Sequence, residues 1–410
     1  MDRESMTYDV LIVGAGPAGL SAAIKLKQLN PKISVCLIEK AAEIGAHILS
    51  GAVLETRALN ELLPDWQQQS LPITQKVTSD HFYYLTENKK ISLPVPPSMN
   101  NHGNYIVSLS DVCCRLAEIA EDLGVEIYPG FSASGIVYDD YSNVKGVVTG
   151  DLGISKDGEK TDNYQIGMQL LAKQTIFAEG CRGSLSKQVI ERFNLNKDCC
   201  PQTYGIGFKE IWQVKKSSPG TSIHTIGWPL KSNTYGGSCI YQLDNNKISI
   251  GFVIGLDYQN PWLSPFDEFQ RFKNHPTIKA LLKDGERLTY GAKSLVEGGY
   301  QSIPKLTFPG GMLIGDSAGF LNVAKIKGSH TAMKSGILAA ESIAKHLDDD
   351  SDNPIEINSY QENLDKSWLK QELFKVRNIR PSFKKGLFTG LAYSAFDQYI
   401  LRGKAPWTFK

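Results

Sequence analysis

The pattern of apolar and polar positions at the start of the chain predicts an α/β unit. Residues 8–13 are mostly β-branched or aliphatic, which is typical of a parallel strand buried on both faces. Residues 20–28 place Ala22, Ala23 and Leu26 on one side and predict a helix. Residues 34–38 form a second apolar run, which ends at Glu39. A strand, a helix and a second strand therefore open the fold.

The same alternation returns after an interruption. Residues 71–99 mix short strand-like runs with prolines and predict a β-rich excursion. A strand over 105–107, a helix over 112–123 capped by Ser110 or Asp111, and a strand over 125–128 then resume the α/β pattern. Residues 135–149 predict a hairpin, residues 153–164 a polar loop, and residues 170–177 another strand.

The second half of the chain changes character. Residues 202–255 follow a β pattern throughout, residues 312–316 predict a strand that runs into a turn, and residues 331–346 and 357–376 predict helices. We therefore predict an α/β + β fold that contains a split, Rossmann-like nucleotide-binding domain. Its parts cover 1–70, 101–190 and 301–350; a β-rich insertion covers 71–100, a β-rich domain 200–300, and a helical C-terminal region 355–410.

A glycine turn joins the first strand to the first helix. In G-x-G-x-x-G, here Gly14, Gly16 and Gly19, the glycines permit a tight turn, close approach of a pyrophosphate, and helix–strand packing. Free N–H groups at the helix start favour phosphate. Glu39 lies roughly 20 positions further on, where an acidic side chain holds a ribose hydroxyl. The turn predicts a dinucleotide site and leaves open whether the ligand is FAD or NAD.

A second turn favours FAD. The strand over 312–316 ends in Gly315 and Asp316, and small residues and a helix follow. This order places a carboxylate beside a ribityl chain and helix N–H groups near phosphate or the flavin ring, although Asp316 alone could be a helix cap. Glu179 ends another strand in an acidic-Gly turn, which is either a return to the cofactor or an ordinary strand exit.

Composition narrows the function classes. The chain has 410 residues, 41% of them hydrophobic and 21% charged, which is typical of a globular protein. A net charge of +1 favours no nucleic-acid partner. None of the seven cysteines has C-x-x-C spacing, so we predict no metal or iron–sulfur ligands in this chain and a reducing compartment. No stretch has the ~18 apolar residues that a membrane-spanning helix needs.

Longer motifs resemble one family of flavoproteins. From about Asp9 to Trp407 the chain is similar to the electron transfer flavoprotein–ubiquinone oxidoreductases, which share a fold with aromatic hydroxylases and geranylgeranyl reductases. The motifs that carry the resemblance are GAHILSG (45–51), NNHGNYIV (100–107), PQTYGIG (201–207), GWPL (227–230), TYGGS (234–238), GLDYQNP (255–261), QSIPKLTFPGG (301–311) and KIKGSHTAMKSG (325–336).

The resemblance implies an activity and a set of binding residues. The family takes electrons from reduced electron transfer flavoprotein and passes them through FAD to ubiquinone. The predicted ubiquinone-binding residues are Gly236 and Gly237. No catalytic residue is assigned; His47 and His330 are candidates for proton handling by position only. The predicted cofactor-binding residues are Gly14, Gly16, Pro17, Ala18, Gly19, Glu39, Lys40, Ser50, Gly51, Gly315, Asp316, Lys327 and Gly328.

The resemblance also implies contact with a membrane surface. Residues 44–65 and 387–402 match two surfaces that dip into lipid, and we expect a monotopic protein of the bacterial cytoplasmic membrane or the mitochondrial inner membrane. In the second segment Phe388, Leu391, Phe396 and Tyr399 fall on one helical side, whereas Asp397 lies elsewhere. Packing of this helix on the protein's own core is the alternative.

Family members carry a C-terminal ferredoxin-like domain whose four cysteines bind a [4Fe–4S] cluster. This chain stops at Lys410, before that domain would begin. We therefore expect either a fragment or a partnership with a separate ferredoxin-like protein. An NAD(P)H-linked flavin oxidoreductase similar to geranylgeranyl reductase is the alternative function, and a non-catalytic flavin-binding subunit is a third.

Overall fold

A computed structural model describes residues 3–347 and 354–410. Their strands are β1 (Ser5–Val13), β2 (Val35–Glu39), β3 (Ala52–Leu54), β4 (Gln75–Lys76), β5 (Ser79–Leu85), β6 (Lys90–Leu93), β7 (Tyr105–Val107), β8 (Glu126–Pro129), β9 (Ala133–Tyr138), β10 (Val144–Thr149), β11 (Leu152–Ile154), β12 (Lys160–Gln165), β13 (Gln169–Phe177), β14 (Tyr204–Gln213), β15 (Thr221–Gly227), β16 (Gly236–Leu243), β17 (Lys247–Gly255), β18 (Glu286–Val296), β19 (Thr307–Phe308) and β20 (Gly311–Leu313).

Helices alternate with these strands at both ends of the chain and are joined by short 3₁₀ turns. They are α1 (Pro17–Leu29), α2 (Arg57–Leu62), α3 (Leu109–Asp122), α4 (Ser184–Arg192), α5 (Pro265–Lys273), α6 (Pro276–Leu282), α7 (Ser329–Ala344), α8 (Ser359–Lys366), α9 (Trp368–Lys375), α10 (Ile379–Ser382) and α11 (Leu387–Ala395). A π-helical segment, Phe396–Leu401, continues α11.

The first sheet is the Rossmann-like one. Its central strands follow the order β20-β13-β1-β2-β8 and run parallel, with β1 between β13 and β2. The apolar runs predicted as strands are buried, because helices cover the sheet; Leu11, Ile12 and Leu37 have no exposed surface. The α/β + β class and the split nucleotide-binding domain are confirmed.

The second sheet has seven strands in the order β18-β14-β17-β16-β15-β5-β6. Its pairs are antiparallel except β15 with β5. Strands β5 and β6 come from the 71–100 insertion, which therefore contributes to this sheet. Helices α5 and α6 cover one face, where Phe252, Phe269 and Phe272 stack in the core. The other face is turned towards the Rossmann-like sheet.

Three predicted elements differ from the structure. Helix α3 begins earlier than expected, because the Ser108 hydroxyl caps it by accepting a hydrogen bond from the Asp111 N–H. Residues 153–164 form the β11–β12 hairpin, whose turn contains Gly158 at φ +85°. The helix predicted over 357–376 breaks at Ser367, which is extended. The acidic segment 348–353, near our predicted boundary at 350, lies outside the described residues.

Candidate functional site

The glycine turn between β1 and α1 is fixed by the protein's own packing at two of its three glycines. Gly14 has φ +110°, and a Cβ there would lie 2.5 Å from the Ala178 carbonyl oxygen. A Cβ at Gly19 would lie 2.0 Å from the Gly14 carbonyl oxygen. A Cβ at Gly16 would meet no protein atom within 4 Å. Only Gly16 therefore leaves space that a bound group could fill.

Glu39 lies beside this turn at the end of β2. Its Oε2 accepts a hydrogen bond from the Ala15 N–H at 3.0 Å, and its Oε1 accepts one from the Ala41 N–H at 2.9 Å. The two bonds fix the carboxylate at the mouth of the turn. Each oxygen keeps acceptor capacity for a hydroxyl group.

Asp316 follows β20 in the second predicted turn. Gly315 has φ +60°, and its N–H donates to the Ser335 hydroxyl of α7 at 2.9 Å. The Asp316 Oδ1 is buried and has no hydrogen-bond partner. Burial raises the pKa of this carboxyl to about 6, although the charge of Lys293 opposes the rise. A buried acceptor without a donor indicates that a ligand donor belongs there.

Both turns open into one cavity of about 1090 Å³ between the two sheets. The α1 and α7 N-termini line it, so both helices present free N–H groups. The second sheet contributes Gly207, Gly237, Gly251 and Gly291 to the wall. These glycines give that wall a flat surface, which suits a planar ring. The volume is at the upper end of small-molecule sites.

The structure brings most predicted cofactor residues to the cavity wall. Ser50, Gly51 and Gly19 lie behind it. The Ser50 and Ser108 hydroxyl groups share a hydrogen bond of 3.1 Å. The Gly51 carbonyl oxygen accepts a hydrogen bond of 2.8 Å from the Lys209 ammonium. Those that line the cavity are Gly14, Gly16, Pro17, Ala18, Glu39, Lys40, Gly315, Asp316, Lys327 and Gly328.

An FAD molecule fits these residues. The open space at Gly16 and the α1 N-terminus suit a pyrophosphate, and Glu39 suits the adenosine ribose. The unpartnered Asp316 Oδ1 suits a ribityl hydroxyl. The cavity continues past Asp316 to the second sheet, so a cofactor extended between the two turns would place its ring there.

Gly236 and Gly237 line the cavity at the start of β16. A Cβ at Gly237 would lie 2.6 Å from the Thr225 carbonyl oxygen, and one at Gly236 would lie 2.4 Å from the Val253 carbonyl oxygen. Strand packing alone therefore requires both glycines. Their proposed contact with a quinone depends on their position in the wall.

Several ionisable residues at the cavity were not predicted. His224 on β15 is buried, and its Nε2 lies 3.3 Å from the Tyr241 hydroxyl. Burial and the charge of Lys327 lower the pKa of His224 to about 4, so the imidazole is neutral at pH 7. His224 pairs with Cys239 in the β15–β16 ladder, a long-range register that the sequence alone does not reveal.

Three further side chains that the sequence singled out are His330, His47 and Glu179, and each has a different environment. His330 does not line the cavity; its Nε2 lies 2.8 Å from the Glu372 carboxylate. His47 lies on the wall and is exposed. Glu179 caps α4 by accepting hydrogen bonds from the Leu185 and Ser186 N–H groups. Capping of α4 is a sufficient structural reason for an acidic residue at position 179.

The two segments predicted to meet lipid differ in exposure. In residues 44–65 the apolar side chains of α2, including Leu59 and Leu62, are buried in the core, so α2 offers no apolar face. On the C-terminal segment Phe388 is 63% exposed and Ile400 68% exposed. Leu391 lines the cavity, and Asp397 is buried. No described helix has the length and apolar character needed to cross a membrane.

This fold and cavity define a class of two-domain flavoproteins. Among solved structures, the chain is similar to a geranylgeranyl bacteriochlorophyll reductase-like protein from Thermoplasma acidophilum, with 19% identity, a TM-score of 0.71 and coverage of 98% of each chain. It is also similar to the flavin-dependent brominase Bmp2, with 20% identity, a TM-score of 0.64 and coverage of 97% of this chain and 92% of the other. These likenesses show the fold.

The sequence comparisons are more specific. Residues 204–295 match the model for the ubiquinone-binding domain of ETF-QO, and residues 12–63 match an NAD(P)-binding Rossmann-like domain. Mitochondrial electron transfer flavoprotein–ubiquinone oxidoreductase of Dictyostelium discoideum is 52% identical over 99% of this chain and 70% of its own length. Those of rice and Bos taurus are 53% identical over all of this chain and 71% and 69% of their own lengths. The chain belongs to the electron transfer flavoprotein–ubiquinone oxidoreductase family.

Proposed function

We propose that this protein accepts electrons from reduced electron transfer flavoprotein and passes them through FAD to ubiquinone. The observation that carries the proposal is the family membership over the whole chain, together with a cavity that joins the FAD turns to the ubiquinone-binding domain. When bound, FAD takes up electrons from a donor and releases them to an acceptor.

The chain's own residues bind and orient the cofactor. The α1 N-terminus and Gly16 hold the pyrophosphate, Glu39 the ribose, and Asp316 the ribityl chain. The α7 N-terminus, which begins at Ser329 after Gly328, directs N–H groups at the ring. The glycine-rich wall of the second sheet lets a planar ring lie close to the backbone.

The quinone is expected on the second-sheet side of the cavity, next to Gly236 and Gly237. Leu387, Leu391 and Gln398 of the C-terminal segment line this cavity too. The same segment carries exposed apolar side chains on its outer side. A quinone leaving lipid would therefore pass beneath α11 to reach the cavity.

The exposed apolar side chains of residues 387–401 support attachment to the surface of the inner membrane. Lys384 and Lys385 precede the segment, and Arg402 and Lys404 follow it, so cations flank an apolar patch. The relatives' names are mitochondrial. We expect the protein to lie on one leaflet, with α11 and the π-helical segment in the headgroup layer.

The membrane proposal is tested with vesicles that contain anionic lipid. Replacing both Phe388 and Ile400 by serine removes two exposed apolar side chains and should weaken vesicle binding at least ~10-fold, since a buried large apolar side chain contributes ~1.5–3 kcal/mol. Tyr141→Ser removes another exposed aromatic ring, on the β9–β10 turn, and serves as the control. Equal binding by the double variant would exclude this surface.

The electron-transfer proposal is tested by steady-state turnover. Reduced electron transfer flavoprotein and a ubiquinone analogue should together sustain turnover, whereas NADPH should leave the flavin absorbance unchanged. Fast bleaching by NADPH without any response to electron transfer flavoprotein would instead indicate a nicotinamide-linked reductase.

The iron–sulfur cluster of the family has no part in the FAD and quinone sites proposed for this chain. All seven cysteines of the chain are free, and no group of described cysteines lies within ligand distance of a shared metal. A separate ferredoxin-like protein, if it participates, would act before the FAD. Adding such a protein should change the rate at which electron transfer flavoprotein reduces the FAD and leave the rate of FAD oxidation by quinone unaltered.

A further inference from the structure

The loop between Asn322 and Lys327 places one lysine in the cavity wall and another towards solvent. The backbone bridge between Asn322 and Lys327 closes the loop. Lys327 is 5% exposed and lines the cavity. The Lys325 side chain is 20% exposed, does not line the cavity and forms two ion pairs.

Lys325 is part of a closed ion-pair cluster. Its Nζ lies 2.8 Å from the Glu55 carboxylate and 2.7 Å from that of Glu372. His330 Nε2 bonds Glu372, and its ring stacks on Trp368. The side chains of Glu55, His330 and Glu372 bring three metal-ligand atoms within 4.8 Å of one another, but the Lys325 ammonium already supplies the cation between the two carboxylates.

Lys327 lacks such partners. Among the described residues its Nζ donates one hydrogen bond, to the Lys325 carbonyl oxygen at 3.3 Å. No described carboxylate forms an ion pair with it. A buried ammonium has three donors, so two of them are available to the cavity. A buried charge without a counter-ion is costly, and a fold retains one where a ligand or a reaction uses it.

The position of the loop favours the quinone side of the cavity. The Ser98 hydroxyl donates to the Ala324 carbonyl of the loop at 3.3 Å, and the Ser98 N–H donates to Gln398 of the π-helical segment at 3.1 Å. The loop therefore lies beside the exposed C-terminal segment. His224, on the strand next to Gly237, is close enough for the charge of Lys327 to lower its pKa.

We propose that the Lys327 ammonium is the proton donor to the quinone bound in this cavity. Two electrons and two protons convert the quinone into a quinol. An N–H bond of Lys327 breaks as an O–H bond forms at the neighbouring quinone oxygen, which leaves a neutral amine. The second oxygen takes the proton that the reduced flavin releases when it gives up its two electrons. The amine regains a proton from water on the side of Lys325 and Glu55, which are partly exposed. This inference rests on the proposed function.

The charges around Lys327 suit a group that gives up its proton near neutral pH. Burial and the neighbouring Lys325 lower the pKa of Lys327 to about 8, against the opposing charges of Glu55, Asp80 and Glu372. His224 also faces it and is neutral. The donor form is therefore present below pH 8 and is lost as pH rises through this value. An acid near the working pH is an efficient proton donor.

The test separates proton transfer from electron transfer. Bound flavin is reduced anaerobically with dithionite and mixed with a soluble ubiquinone analogue, which needs protons, or with ferricenium, which does not. Lys327→Met removes the charge and the proton; Lys327→Arg keeps a charge that is not released at any working pH. Lys187→Met, on the exposed side of α4, is the control.

We expect both Lys327 variants to slow quinone reduction by on the order of 10²-fold relative to their own ferricenium rate, and Lys187→Met to change neither rate. In the unaltered protein the quinone rate should fall above pH 8. A quinone rate in Lys327→Arg equal to that of the unaltered protein would overturn the proposal. If the unaltered protein itself fails to reduce quinone, the proposed function is wrong.

A readout without turnover tests the same residue. Competitive acetylation of the FAD-free protein, followed by mass spectrometry, gives the pH at which each lysine becomes nucleophilic. Lys327 should react as an amine that titrates near pH 8, well below the ordinary lysine pKa of about 10.4. Titration of Lys327 at that ordinary value would contradict the proposal whatever the activities are. Flavin absorbance, measured on each purified variant before FAD is removed, confirms that the variant is folded.

Discussion

Replacing Asp316 by asparagine should change stability and cofactor binding in opposite directions. In the FAD-free protein the buried Oδ1 has no partner, and burial raises the pKa of the carboxyl from 3.8 to about 6. The folded protein therefore holds a proton that the unfolded chain has released between about pH 4 and pH 6. The free energy of unfolding contributed by this group falls as pH rises through that window and is constant above it.

The magnitude follows from the difference in pKa. A pKa difference of about 2 units corresponds to ~3 kcal/mol at 1.36 kcal/mol per unit. Relaxation of the structure around a neutral amide makes the gain smaller. Asp316→Asn should therefore stabilise the FAD-free protein by ~1–3 kcal/mol at pH 7.5. The amide also loses a charge-assisted hydrogen bond to the ribityl chain, which is worth ~1.5–3 kcal/mol. FAD should therefore bind ~10- to 150-fold more weakly.

Two measurements on one preparation check this pair of effects. Urea unfolding of the FAD-free protein, followed by circular dichroism, gives the stability, and quenching of FAD fluorescence gives the affinity. Asp162→Asn, on the exposed strand β12, is the control and should change neither. A variant that loses stability, or one that binds FAD as tightly as the unaltered protein, would refute the assignment of Asp316 as a cofactor ligand.

Two further substitutions test the turn and the support behind the cavity. A Cβ at position 16 meets no protein atom within 4 Å but lies in the space for the pyrophosphate, so the purified Gly16→Val variant should fold and lack flavin absorbance. Gly135→Val, in strand β9, is the control, and a yellow Gly16→Val protein would count against the turn. Arg380→Met leaves the buried Glu297 without its cation and should lower the free energy of unfolding in urea by ~3–5 kcal/mol. Arg287→Met, at a half-exposed ion pair, is the control and should lower it by less than ~1 kcal/mol. Similar losses in the two variants would contradict the role of burial.

Local sequence signals predicted the elements that line the cavity. The apolar runs of β1 and β2, the glycine turn and the Gly315–Asp316 turn each have a pattern that depends on a few neighbouring residues. The structure places them as expected, because buried parallel strands and tight turns allow few alternatives. Family membership then follows from motifs spread along the whole chain.

The features that were missed depend on distant contacts. Strand β18 is mostly exposed and lies at a sheet edge, so it shows no apolar alternation. Ser108 competes with Ser110 and Asp111 as a cap, and only the fold selects it. The burial of the apolar side chains of α2 against the core, which leaves this helix without an apolar face for lipid, likewise arises from residues far apart in sequence.

In the proposed reaction, FAD bound in the cavity takes electrons from a flavoprotein donor and passes them to a quinone. Sequential mixing tests this route: reduced electron transfer flavoprotein is added to the FAD-loaded protein without oxygen, and a ubiquinone analogue follows. We predict that the visible absorbance of the bound flavin bleaches on the first addition and returns on the second. Protein that cannot be loaded with FAD, or bound flavin that stays reduced when the quinone arrives, would contradict the account.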